Sequence, residues 1–309
     1  MTQISVVIPT YARSGLLRQA LTSVAFQEAV DVEVIVVNDA GPDVSGVVGE
    51  FARRMPVRLI DQPVNRGLSA ARNTGIDAAA GEYLALLDDD DVYLKGHLKT
   101  AVATLETTGA DLVYADCPVS DRRIDPATVT RADVDQLPYV FDYDFVAEAL
   151  SVANFIPVTG VVLRSLRGTG ARFDTALPVE EDWDMWLRLS RAHGMRFVRV
   201  PERTVIYHRL RSLVSMTTDP ATGTGGRMAA FRANHQRLME RWPVAAGSLA
   251  EEYRAHLMMA YDLGAAQIAS GRRLSHFYYE RVLRALYESL TSGAGSTGLR
   301  IRLEEAVME

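Results

Sequence analysis

The stretch from Tyr83 to Asp91 constrains this fold more than any other. Tyr83-Leu-Ala-Leu-Leu87 is an apolar run, the pattern of a strand buried in a sheet covered on both faces. It ends in four consecutive carboxylates, Asp88 to Asp91. Packed at a strand end, such charges repel one another and lose hydration, so they persist only with something cationic among them. A hard divalent ion, Mg²⁺ or Mn²⁺, suits an all-oxygen set and can bridge to substrate phosphates. The bland alternative is a solvated acidic turn capping the next helix, and the buried strand just before the run weighs against it.

Upstream, Ile4-Ser-Val-Val-Ile-Pro9 reads as a strand closed by proline, and Thr10-Tyr11-Ala12-Arg13 as a loop. Ser14 is then a candidate N-cap for a helix with Leu16, Leu17, Ala20, Leu21 and Val24 at helical spacing. Val32 to Val37 is a second strand ending at Asn38-Asp39. A strand–helix–strand unit of this length is right-handed and parallel. Ligands in such sheets bind outside the carboxyl ends of the strands, which gathers Thr10, Asp39 and Asp88 to Asp91 at one edge. Val57 to Ile60 is a third short strand. Ser69 would cap a following helix of small residues that can lie close to the sheet. That helix carries Arg72, whose planar fork suits a base, ribose or phosphate, or equally a surface salt bridge.

Beyond the acidic run come a helix at His97 to Leu105 and a strand at Asp111 to Ala115. From Pro118 to about Leu150 the pattern weakens, as in a functional loop or lid. Its Tyr139, Phe141, Tyr143 and Phe145 offer either a sugar-stacking platform or a satellite hydrophobic cluster. Pro157 to Leu163 restores a buried strand. Glu180-Glu-Asp182 then opens a helix carrying Trp183, Trp186, Leu187 and Leu189. Carboxylates there can serve the helix dipole, or Asp182 can act as a general base. Two more strand-like pieces, Arg196 to Val200 and Val205 to Tyr207, end at His208, a candidate third metal ligand. From about Arg227 the periodicity is helical, in roughly three helices, and the Gly/Ser run Ser292 to Gly298 reads as a joint before a short charged tail.

Composition narrows the class. With 309 residues, 48% hydrophobic and 23% charged, this is an ordinary globular chain, one large domain or a core domain with an appendage. A net charge of −6 lacks the basic footprint of nucleic-acid binding. The single cysteine, Cys117, allows no internal disulfide and no thiolate zinc site. No apolar segment reaches the roughly 18 residues of a membrane span. A cytoplasmic protein, peripheral at the inner membrane face at most, is the expectation.

These residues resemble the family 2 nucleotide-diphospho-sugar glycosyltransferases. The resemblance rests on Val6 to Tyr11, Val36 to Asp39, Asn65 to Gly75, Leu87 to Asp91, and Glu181-Asp182 ahead of Trp186 to Leu189, in the family's order and spacing. It implies the α/β GT-A fold, a Rossmann-like, mainly parallel central sheet flanked by helices, here with a C-terminal α-helical appendage. The expected domains are residues 1–226, with a nucleotide-binding half to about 117 and an acceptor half from 118, and a helical region 227–309. It also implies a nucleotide-sugar site of Pro9, Thr10, Tyr11, Asp39, Arg72, Asp88 and Asp89, with Asp39 on the base, usually uracil. Asp88 and Asp90 match the outer carboxylates of the family's Asp-x-Asp motif, Asp90 as the direct ligand of Mn²⁺ or Mg²⁺, and Asp182 matches the catalytic base.

Two departures stand out. Tyr207-His-Arg-Leu210 replaces the Tyr-Arg-x-His of many relatives, which bears on His208 as a ligand. Gln236 to Trp242 has two residues too many for the processive synthases' Gln-x-x-Arg-Trp, so a non-processive enzyme is expected. The implied reaction is inverting transfer from a nucleoside-diphosphate sugar, UDP favoured, to a hydroxyl or amine of a small-molecule, lipid-linked or glycan acceptor. One rival is a nucleotidyltransferase, against which the Pro9 to Arg13 loop lacks a glycine-rich phosphate cradle. The other is a non-catalytic nucleotide-sugar-binding scaffold. The C-terminal helices either help bind the acceptor or form a homodimer interface, and the pattern favours neither.

Overall fold

A computed structural model describes residues 4–28, 30–210, 223–272, 274, 276–293, 296 and 298–307. It divides into two compact units, each assembled from separate stretches of chain. The first comprises residues up to 144, 156–176 and 184–210; the second comprises 145–155, 177–183 and 211–309.

The elements in chain order are β1 (Ile4–Thr10), α1 (Ser14–Ala25), β2 (Val32–Asn38), α2 (Ser45–Phe51), β3 (Val57–Asp61), α3 (Leu68–Ala78), β4 (Tyr83–Leu86) and β5 (Val92–Tyr93). There follow α4 (His97–Thr108), β6 (Leu112–Ser120), α5 (Arg131–Asp135), β7 (Tyr139–Phe141), α6 (Ala147–Leu150), β8 (Val161–Arg164) and α7 (Glu181–Leu187). The last are β9 (Phe197–Arg203), β10 (Val205–His208), α8 (Gly223–Arg241), α9 (Leu249–Ala269), α10 (Tyr278–Thr291) and α11 (Leu299–Val307).

In the first unit the described strands form one ten-stranded sheet with the main order β3-β2-β1-β4-β8-β6-β10-β5, and β7 and β9 also pair with β6. The β-branched β1 is buried throughout and pairs in parallel with β2 and β4. Its pairing with β4 stops at Val7–Leu86, whereas its pairing with β2 continues to Thr10–Asn38. Thr10 therefore projects past the end of β4, beside the acidic loop. β8 and β7 run antiparallel to their neighbours, so the sheet is mixed.

Ser14 and Ser69 do not cap. Both lie inside helices that start after Arg13 and Gly67, with no side-chain cap. The weak pattern after Pro118 proves partly regular: β6 continues to Ser120 and turns back through β7. Phe141 packs against the main core and Tyr143 is buried, so these rings serve packing. In the second unit, Arg254 of α9 donates to the Ser151 carbonyl at 2.8 Å, and Tyr253 bonds Ser289 of α10 at 2.8 Å. Residues 299–307, read as a charged tail, form α11 because Leu299, Leu303, Ala306 and Val307 share a buried face. The Gly/Ser run before it lies partly outside the described residues.

Candidate active site

The first unit brings the sequence's acidic run together with the loop after β1 and with His208, the last residue of β10. Thr10 donates its hydroxyl to Asp89 at 2.6 Å. Arg13 donates to Asp90 at 2.7 Å and to Asp89 at 3.3 Å. Arg72, almost fully buried on α3, donates to Asp88 at 2.7 Å and lies 5.3 Å from the Phe173 ring centroid. Asp39 takes a different part. Its two oxygens accept the Arg66 and Gly67 amides, each at 2.8 Å, which fixes the loop leading into α3. A carboxylate has about four acceptor positions, so this leaves Asp39 able to take a further donor. Pro9 is buried, while Tyr11 is 51% exposed, an unusual state for a large ring.

Two cations do not neutralise the acidic loop. Burial, and after it Asp90, push the Asp89 carboxyl up to about 7. Burial, and after it Asp88, push Asp90 up to about 6. Asp91, wholly buried, is raised well above the carboxylate range by burial and by Asp90 and Asp88. Oxygens of Asp88, Asp90 and Asp91 all lie within 4.8 Å of one another. An all-carboxylate set short of positive charge fits a hard divalent ion such as Mg²⁺ or Mn²⁺.

His208 arrives through the pairing of β10 with β5, the strand directly after Asp91. Its amide donates to Asp91 at 2.7 Å. Its Nδ1 donates to the Asp90 carbonyl at 2.6 Å and its Nε2 accepts the Ile124 amide at 3.0 Å. A carbonyl only accepts, so the proton sits on Nδ1 and both nitrogens are engaged with backbone. Burial lowers this imidazole to about 4, which keeps it neutral near pH 7.

Asp182 belongs to the second unit. It is half-buried, accepting Asn154 Nδ2 at 2.9 Å and the Trp183 amide at 2.8 Å. The sequence reading missed Arg13 and Asn154 as parts of these surroundings. Arg13 had a signal, as the one basic residue of the Pro9 to Arg13 loop. Asn154 had none, because its partner lies 28 residues away.

A family model described as glycosyl transferase family 2 matches residues 5–166. The uncharacterized glycosyltransferase YwdF of Bacillus subtilis (strain 168) is 32% identical over 206 residues, 66% of this chain and 74% of YwdF. This chain belongs to glycosyl transferase family 2. It is therefore an enzyme of the transferase class, and its α/β architecture is of the GT-A type. Among solved structures, S. aureus TarS 1–349 in complex with UDP-GlcNAc matches with a TM-score of 0.58 at 15% identity, over 99% of this chain and 84% of that one. The mannosyltransferase PcManGT of Pyrobaculum calidifontis, in complex with GDP-Man and Mn²⁺, matches with a TM-score of 0.58 at 18% identity, over 98% and 85%. At that identity the likeness is one of fold. No helix among the described residues is long and apolar enough to cross a membrane.

Proposed function

We propose that this family 2 enzyme is an inverting, metal-dependent, non-processive glycosyltransferase. It moves a sugar from a nucleoside-diphosphate sugar, UDP favoured, to an acceptor hydroxyl or amine. The observation that carries this reading is the crowded acidic loop, with Asp88, Asp90 and Asp91 presenting oxygens within 4.8 Å beside Thr10 and Arg13. Asp88 and Asp90 would hold Mn²⁺ or Mg²⁺, with His208 as a third ligand only if Nε2 releases the Ile124 amide. When bound, the ion supplies charge neutralisation on the departing diphosphate.

The other roles follow from the side chains. Asp39 accepts from the base, and the exposed ring of Tyr11 stacks on it. Thr10, Pro9 and Asp89 shape the wall of the nucleotide pocket, while Arg72 orients Asp88 and is itself held over Phe173. Asp182 removes the acceptor's proton as the sugar leaves the diphosphate, a contribution of about 10²–10⁴ in rate. Residues 1–117 bind the nucleotide and 118–226 the acceptor, and the helices of 227–309 either help bind the acceptor or form a homodimer interface. TarS bound to UDP-GlcNAc supports a UDP donor, and PcManGT with GDP-Man and Mn²⁺ supports a divalent ion.

The test is thermal stability against UDP, dTDP, GDP and CMP, each with and without Mn²⁺. Ligand at 100 times Kd adds about 2.7 kcal/mol, a shift of several degrees. The expected result is stabilisation by UDP only when Mn²⁺ is present, lost in Asp90→Ala. Pyrophosphate release from a nucleoside triphosphate would favour a nucleotidyltransferase instead. No shift with any nucleotide would favour the scaffold.

A further inference from the structure

Among the described residues three non-glycines adopt positive φ: Ala12, Ala40 and Glu180. Ala12 and Ala40 lie in the loops that carry Arg13 and Asp39. Glu180, at φ 59°, lies two residues before Asp182. A left-handed conformation disfavours a residue with a Cβ by about tenfold, so neighbours must hold it there.

In the second unit those neighbours come from α8. His235, with no solvent exposure, donates from Nδ1 to one oxygen of Glu180. Asn234, the residue before it, donates to the other oxygen at 3.1 Å and to the Val179 carbonyl at 2.7 Å. The same imidazole lies against the Trp183 ring, centroids 4.5 Å apart, and that indole is pinned through its N–H to the Leu150 carbonyl at 2.7 Å. One side chain of α8 thus touches residues on both sides of Asp182. Tyr261 completes the pocket, its hydroxyl 3.2 Å from His235 Nδ1.

The arrangement is expensive. Among the described residues, buried His235 Nε2 and Asn234 Oδ1 have no hydrogen-bond partner, a cost that an apolar pair of similar shape would avoid. Such a group earns its place by fixing a conformation that apolar packing would not select.

We infer that His235 and Asn234 are positioning residues for Asp182. By gripping Glu180 in its left-handed conformation and bracing Trp183, they aim the Asp182 carboxylate. The inference rests on Asp182 as the base, and it makes α8 part of the base's machinery.

The test measures UDP release from UDP-GlcNAc and UDP-glucose with Mn²⁺ and water as acceptor, in wild type and four variants. Asp182→Asn should lose about 10²–10⁴ in kcat with the donor KM unchanged. His235→Ala should lose about tenfold in kcat, again at unchanged KM. His235→Ala/Glu180→Gly should recover most of that loss, because glycine adopts positive φ freely. His235→Ala/Glu180→Ala removes the same two partners, keeps the strained position and should not recover. Equal turnover of the Gly and Ala double variants, or wild-type kcat in His235→Ala, would overturn the inference. Wild-type turnover in Asp182→Asn would instead overturn the reading of the base. Amide hydrogen exchange at Asp182 and Trp183 reads the same clamp without any substrate. It should quicken about tenfold in His235→Ala, and unchanged exchange there would count against the grip. If His235→Ala fails to fold, Asn234→Ala carries the same expectations through the Val179 and Glu180 contacts.

Discussion

Arg13 stands where the acidic loop needs positive charge. Its guanidinium is 2.7 Å from Asp90, a carboxylate proposed to hold the metal, and a divalent ion there must compete with it. Free Mn²⁺ should consequently bind Arg13→Ala about tenfold more tightly than wild type, in calorimetry without nucleotide. Weaker binding would mean that Arg13 arranges the carboxylates rather than substituting for the ion. A second residue makes a prediction about pH. His97 is buried on α4, with Nδ1 2.9 Å from the Thr204 hydroxyl, and burial lowers it to about 3. Between that value and the ordinary 6.5 the unfolded chain holds a proton that the folded chain does not. Stability from this group is thus complete above about pH 6.5 and is lost as pH falls toward 3. At pH 5 the loss is about 2 kcal/mol relative to pH 7.5 or above. Urea midpoints of wild type should drop more between pH 7.5 and pH 5 than those of His97→Asn, which has no proton to gain. Equal drops would remove His97 from the pH response.

At the scale of elements, the close approach of α3 to the sheet turns on Gly75. A Cβ there would lie 2.3 Å from Val7 Cγ1, a side chain fixed in the middle of β1. Overpacking of this kind costs about 1–3 kcal/mol, against about 1 kcal/mol gained in helix propensity. Gly75→Ala should lower the Tm by about 2–4 °C, and the penalty should vanish when Val7→Ala is already present. A penalty unchanged by Val7→Ala would place the strain elsewhere. The small-residue pattern of this helix was legible in the sequence, as were β1, β2, β4 and α9, because each carries its periodicity locally. The extension of β6 past Pro118 was not. Proline reads as a strand end, yet here the chain crosses it and pairs Pro118 with Val140 of β7. Nor was α11, since its Leu299, Leu303 and Val307 are interleaved with Arg and Glu that make the segment look like a solvated tail. The acidic loop, Asp39 and Asp182 could be picked out because carboxylates at the ends of apolar runs are conspicuous. Asn154, which pairs with Asp182, and His235, which pairs with the neighbouring Glu180, could not be, because a partner far off in the chain leaves no mark on local pattern.

The same separation in sequence governs the whole molecule. Read in order, the change of composition near residue 227 suggests a place to cut the chain. The second unit does not respect it: residues 145–155 and 177–183 belong with the C-terminal helices. Phe155 packs edge-on against Tyr287, Trp183 lies against His235, and Ser151 receives Arg254. A chain ending at 226 keeps Leu150, Phe155 and Trp183 but loses α9, α10 and most of α8, the helices that cover these segments. Burying one such side chain is worth about 1.5–3 kcal/mol, so uncovering several exceeds what a marginally stable protein can lose. The 1–226 fragment should therefore give little soluble protein. What remains soluble should bind a hydrophobic dye strongly and lack the cooperative thermal transition of the full chain. A fragment that melts cooperatively and leaves the dye dark would show that residues 145–155 and 177–183 find their packing without the helices. The C-terminal region would then be an accessory to this enzyme rather than part of the structure that holds Asp182.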